Sequence, residues 1–136
     1  MSVDIRVRGY HLDVYQHVNN GRYMEFLEEA RWDFMGKTGF TDQLEVLGRA
    51  LVVVNININY RRPALLNELL RVTVRLSKIG NKSAQFEQVV TRIVDGEEQD
   101  VVADALVTFC VMDPDAEKAV VLAGELRSIL EKAMEY

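Results

Sequence analysis

One long stretch of this chain keeps a helical period, and most of the chain beyond it alternates. From Arg22 onward, Tyr23, Phe26, Leu27, Ala30 and Phe34 recur on one helical face, while Glu25, Glu28, Glu29 and Asp33 lie on or beside the other. Asn19 or Asn20 is suited to cap its start, Glu25 and Glu28 suit the early turns, and Gly36 or Gly39 can close it. The spacing predicts a helix over roughly 20–36. An apolar stripe of that length has to be covered, and the rest of the chain supplies mainly strands.

Val3 to Arg8 alternates apolar and charged residues until Gly9 ends the run. Leu51 to Tyr60 reads as a strand with Val52, Val54, Ile56, Ile58 and Tyr60 on one face and Val53, Asn55, Asn57 and Asn59 on the other; Pro63 stops it. The three asparagines fit either a solvated sheet face or a polar strip beside a ligand or a second subunit. Arg71–Lys78, Ser83–Val94 and Val101–Met112 come next as strands, joined by turns at Ile79-Gly80-Asn81-Lys82 and Asp95-Gly96. Thr41–Gly48 reads as a connection with a short helical turn, and Ala119–Leu122 as a short edge strand. Leu122, Leu126, Ile129, Leu130 and Ala133 form the stripe of a closing helix. Successive hairpins make the sheet antiparallel, so its apolar faces should curl round the long helix. The expected architecture is one α+β domain over residues 1–136.

A formal charge of −5, from 16 basic and 21 acidic side chains, argues against a nucleic-acid binder but leaves room for a small anionic ligand gripped by a few arginines. Cys110 is alone and sits in an apolar run, which fits a buried free thiol in a reducing compartment. No basic start followed by an apolar run suggests a signal peptide, and no stretch approaches the roughly 18 apolar residues of a membrane span. A soluble, cytoplasmic protein is expected.

The chemistry concentrates just before the long helix, in Asp13-Val14-Tyr15-Gln16-His17-Val18-Asn19-Asn20-Gly21-Arg22-Tyr23. Asp13 fits a turn-forming aspartate or a cap of a short turn. It also fits an acid held near exposed helix-start amides, here Asn20 and Gly21, which could polarise a carbonyl. His17 could orient Asp13, bind a substrate or hydrogen-bond a loop carbonyl. Arg61-Arg62 could be solvated strand-end charges or a grip for phosphates, joined by Lys82 if the fold brings it near. His11, Asp13 and His17 are the nearest approach to a metal set, and they lack a third neutral or thiolate ligand, so no metal is expected. The chain has no G-x-S-x-G, P-loop or G-x-G-x-x-G pattern.

The run Asp13-x-x-Gln16-His17-Val18-Asn19-Asn20-x-x-Tyr23, continued by Glu28-Glu29-Ala30-Arg31, resembles the signature of hotdog-fold acyl-CoA thioesterases of the 4-hydroxybenzoyl-CoA thioesterase type. Gly9-Tyr10-His11-Leu12-Asp13, the stretch Val53 to Pro63, and Val102-Ala103-Asp104-Ala105-Leu106 are similar to the bacterial long-chain acyl-CoA thioesterases within that group. The resemblance covers about Arg6 to Leu126. It implies an antiparallel sheet of five to six strands wrapped round the long helix. It further implies a homodimer joined sheet edge to sheet edge, in some members a homotetramer, with active sites completed at the interface. The catalytic acid would fall on Asp13 and the carbonyl-polarising amide on Asn20 or its neighbour Gly21. His17, Asn19 and Tyr23 would shape the loop and helix start, and Arg61, Arg62 and Lys82 would be candidates for the phosphates of coenzyme A.

The implied activity is hydrolysis of a medium- or long-chain acyl-CoA without a cofactor; a carrier-protein thioester or mere acyl binding are the competing readings. Two positions depart from the pattern. Gln16 stands where many members have glycine, and Asn67-Glu68 stands where many have Gly-Asp, which puts a glycine-dependent backbone in question at both.

Overall fold

The structure, a computed structural model, describes residues 1–136. Helix α1 spans Asn20–Thr38, capped by Asn19 at its start and closed by Gly39 in the left-handed region at φ 69°. It buries Tyr23, Phe26, Leu27, Ala30 and Phe34, the stripe read from the sequence. Helix α2 (Phe40–Val46) comes at once and sends Phe40 and Leu44 into the same core, so the expected connection is more helical than its polar residues suggested. Helix α3 (Gly124–Ala133) closes the chain on Leu126, Leu130 and Ala133.

The strands are β1 (Ser2–Arg6), β2 (Ala50–Tyr60), β3 (Leu69–Thr73), β4 (Arg75–Ile79), β5 (Ser83–Val94), β6 (Glu97–Asp113) and β7 (Lys118–Ala119). Five form a continuous antiparallel path in the order β1-β3-β5-β6-β2, with β4 added on β5 and β7 on β6. The single strand expected over Arg71–Lys78 is therefore two. Its break is at Val74, after the pairing of β3 with β5 lapses: the Val89 N–H donates to Thr73 Oγ1 (3.0 Å) rather than to a backbone carbonyl. The sheet's apolar face wraps α1, and Phe34, Phe86 and Phe109 meet beneath it, the last two stacked at 4.8 Å between centroids. This is the hotdog arrangement.

Strand β2 lies at the edge, paired only with β6, and departs from the alternation expected of it. Val53 pairs with Phe109 and Asn55 with Thr108, which leaves Val54 as the extra residue of a β-bulge. Before the bulge Leu51 and Val53 turn inward; after it Ile56 and Ile58 do, and Val52 and Val54 join Asn55, Asn57 and Asn59 on the exposed side. Leu51 to Val54 is apolar at every position, so the inserted residue leaves no local signal.

Candidate active site

The segment ahead of α1 folds back on itself as a tight loop. Asn19 N–H donates to His11 O (2.8 Å), Leu12 and Val18 form an antiparallel bridge, and Asp13 N–H donates to His17 O (2.8 Å). The turn closes through Gln16 N–H to Asp13 O at 3.0 Å. Gln16 takes φ 62°, so a glutamine here adopts the left-handed geometry that glycine reaches most easily. Asn67 likewise takes φ 67°, a conformation asparagine tolerates better than most residues.

Asp13 is half-buried, and its two oxygens have different surroundings. Oδ1 accepts the N–H groups of Tyr15 (2.9 Å) and His17 (3.3 Å), which ties the loop together. Oδ2 has no hydrogen-bond partner in the chain, so one carboxylate oxygen is held and the other left available.

At the helix start the two expected amides differ. Asn19 Oδ1 accepts the Gly21 N–H at 2.8 Å, so that amide is committed to the cap. A Cβ at position 21 would stand 3.2 Å from that same oxygen, so glycine there makes room for the cap. Asn20, the first helical residue, has no intrahelical acceptor, and no loop group takes its N–H. The uncommitted donor at the helix start is therefore the Asn20 amide.

Two supports hold this assembly. Tyr60, at the end of β2, donates its hydroxyl to Asn20 O (3.2 Å) and packs edge-on against buried Tyr23, with ring centroids 5.6 Å apart. Burial pushes the Tyr23 hydroxyl up to about 12, so it stays protonated. The second support is the turn after Pro63: Val18 N–H donates to Ala64 O (2.9 Å), and His17 bridges Leu65. Arg92 clamps that turn. It donates to Pro63 O (2.9 Å), to Asp100 Oδ1 (2.9 Å) and to Glu68, whose other carboxylate oxygen accepts the Leu65 N–H. The Arg92 guanidinium holds the Asp100 carboxyl below its ordinary range. Sequence reasoning singled out Glu68 as an acid but missed Tyr60, Arg92 and Asp100 because they lie on separate strands that only the sheet register brings together.

A loop that leaves one carboxylate oxygen untied and runs into an unclaimed helix-start amide narrows the families to consider. Residues 7–130 match the profile of the thioesterase-like superfamily. The chain belongs to that superfamily. Among thioesterase relatives, the long-chain acyl-CoA thioesterase FadM of Escherichia coli is 53% identical over 97% of this chain and 98% of its own. The structure of YbaW, a probable thioesterase from Escherichia coli, superposes with a TM-score of 0.90 at 53% identity and covers 98% of each chain. A Thermus thermophilus thioesterase complexed with coenzyme A and Zn matches at TM-score 0.77 and 27% identity, over 99% of this chain and 95% of that one.

In this thioesterase-fold chain the other candidates are placed unequally. Arg61 and Arg62 come directly after Tyr60 and so lie at the end of the sheet that carries the loop. Each is already beside an acid: Arg61 Nε is 2.7 Å from Asp104, and Arg62 Nε is 3.8 Å from Asp100. Lys82 is not brought to them. It precedes Ser83, whose partner is Cys110, whereas Arg61's partner Asp104 pairs with Val89, about 23 Å further along β5. Within one chain the expected three-cation patch is a pair.

His17 is exposed, and neither ring nitrogen has a partner in the chain. His11 is buried and accepts the Arg8 N–H at Nδ1 (2.9 Å); burial, with Arg22 nearby, lowers its pKa, so it serves the loop as a neutral acceptor. No group of three His, Cys, Asp or Glu side chains clusters anywhere in the fold.

Proposed function

We propose that this chain hydrolyses acyl-CoA thioesters, with Asp13 and the Asn20 amide acting on the carbonyl. The observation that carries the reading is the tight loop joining them. It fixes Asp13 Oδ1, leaves Oδ2 untied, and ends at an amide with no other acceptor. The thioester oxygen sits against the Asn20 N–H, where the helix start favours developing negative charge. Asp13 Oδ2 takes a proton from water as that water attacks the carbonyl carbon. The tetrahedral adduct then collapses, the C–S bond breaks, and the proton returns to the departing sulfur. In the nucleophilic variant of this scheme Oδ2 attacks directly, and water then cleaves the mixed anhydride. In a single turnover in ¹⁸O-water, label in Asp13 establishes direct attack with water cleaving the anhydride at the Asp13 carboxyl carbon, since the general-base route places label in the released acid alone.

Coenzyme A rather than a carrier protein is the favoured thiol. An acidic carrier docks on a basic surface, and this chain is net −5 with Arg61 and Arg62 each facing an aspartate. Those exposed pairs are individually weak, so both arginines are available to re-pair with phosphates. The active unit is a homodimer formed at the edge of β2, whose 11 residues carry no second partner strand. The test is release of free thiol from purified protein given matched acyl-CoA and acyl-carrier thioesters, with mass measured by light scattering. Turnover of acyl-CoA by a dimer is expected. Turnover of the carrier thioester alone, or tight acyl-CoA binding without thiol release, would overturn the reading.

A further inference from the structure

Arg31 is the one arginine, lysine or carboxylate that the fold buries; it is 7% exposed. Its Nη1 donates to Gln88 Oε1 at 3.0 Å, and Gln88 is itself held by donating Nε2 to Leu27 O (3.0 Å) and Thr73 O (3.3 Å). That partner offers a dipole and no charge. Every other arginine is paired with a carboxylate or, like Arg6 and Arg8, exposed to water. Burial draws the Arg31 pKa down, with the charge of Glu28 opposing it. A guanidinium keeps its charge even so, and a buried cation is costly unless a counter-charge answers it.

The open side of Arg31 borders a cavity of about 410 Å³ between α1, α2 and β2. Nε and Nη2 have no acceptor in the chain, yet the only side-chain atom sealed away without a partner is Asp33 Oδ2, so both nitrogens keep contact with open space. Trp32, Met35, Leu44, Leu51 and Val53 supply apolar wall beside them. Glu28 and Glu45 also line the cavity, but both are exposed, where water screens their charge. No residue of the Asp13 loop or of the first turn of α1 lines it, so it is separate from the candidate active site. The volume lies in the range of small-ligand pockets.

We propose that this cavity is a second ligand site, which takes an organic monocarboxylate with its carboxylate on Arg31 and its apolar body against Trp32 and Met35. A planar guanidinium with two adjacent free nitrogens matches the two oxygens of a carboxylate. The apolar walls favour an acid with a hydrocarbon tail over an inorganic anion, which has nothing to lay against them. An uncharged acyl tail would leave Arg31 unanswered. Free acids are the class of product that the proposed hydrolysis releases, but the site is read by binding alone and stands or falls apart from that activity.

Trp32 is the chain's only tryptophan and is 65% exposed on the cavity wall, so its emission reports occupancy. Octanoate and 1-octanol share a tail and differ in charge. Titrated into the purified protein, octanoate should shift Trp32 emission to the blue and bind about tenfold more tightly than 1-octanol, the difference between a charge-assisted and a neutral hydrogen bond. Arg31→Met keeps most of the bulk and removes the charge, whereas Gln88→Glu gives Arg31 a carboxylate of its own. Each should bring octanoate down to the level of 1-octanol. Equal binding of the two compounds by the wild-type protein, or a preference for octanoate that survives in either variant, would overturn the proposal. The wild-type comparison decides the matter even if neither variant folds.

Discussion

Asp13→Asn and Asp13→Ala together separate the chemistry of Asp13 from its structural work. Oδ1 accepts two backbone N–H groups, from Tyr15 and His17, while Oδ2 accepts none. Asparagine retains an oxygen for both N–H groups and places its new NH₂ where no partner is lost. Alanine removes the acceptor altogether. At this half-buried site water replaces part of what is lost, so about 0.5 kcal/mol per bond and about 1 kcal/mol in total is expected. Both variants lose the carboxylate charge, so that effect cancels between them. Alanine should thus melt about 4 °C below asparagine.

Turnover should fall by about 10²–10⁴ in both variants, the range for loss of a positioned base and about 3–5 kcal/mol of transition-state stabilisation. Capture of the released thiol by a chromogenic disulfide gives kcat, and thermal unfolding gives the stability difference. Turnover by Asp13→Asn within tenfold of wild type would refute the assignment of Asp13. Equal melting of the two variants would refute the account of Oδ1.

The supports of the loop give three further expected outcomes. Asn19→Ala deprives the Gly21 N–H of its cap at 2.8 Å and should cost about 1 kcal/mol by urea unfolding; an unchanged midpoint would mean the cap contributes nothing. Arg92→Met leaves Glu68 and Asp100 without their shared cation and should cost about 2–3 kcal/mol and lower kcat, with Arg92→Lys intermediate because it keeps the charge but not the fork. Full stability and activity in Arg92→Met would exclude the clamp. His11 has a pKa lowered in the fold, so the unfolded chain binds its proton first. Its contribution is complete above about pH 6.5 and is lost as pH falls through the folded value. The melting temperature of His11→Asn, which keeps an acceptor for the Arg8 N–H, should fall less between pH 7 and pH 5 than that of wild type.

How much of the molecule is legible in its sequence depends on the range of the interactions. Helix α1 is legible because its stripe, its cap and its closing glycine lie within one stretch, and the hairpins at Gly80-Asn81 and Asp95-Gly96 are legible for the same reason. Asp13 stands out through its neighbours in the chain. The bulge at Val54 is hidden because Val52-Val53-Val54 offers apolar residues to either face, and only pairing with β6 decides which residue is extra. Arg92 is hidden because its partners lie at positions 63, 68 and 100, and nothing near residue 92 marks it as part of the loop's support. The expected pair of amides fails for a subtler reason. The asparagine that caps the helix uses up one of the donors that the cap's presence advertises.

That economy at Gly21 sets a limit on reactivity. With one unclaimed amide instead of two, the site forgoes a donor of the kind worth about 10²–10³ in rate. A carbonyl can tolerate that deficit only if its substituent departs easily. A thiol ionises near pH 8.5, so sulfur leaves as an anion with little help. The oxygen of an ordinary ester and the nitrogen of a peptide do not. If the Asn20 amide polarises the carbonyl as proposed, the helix cap acts as a chemical filter, restricting the site to activated acyl groups and leaving esters and amides intact.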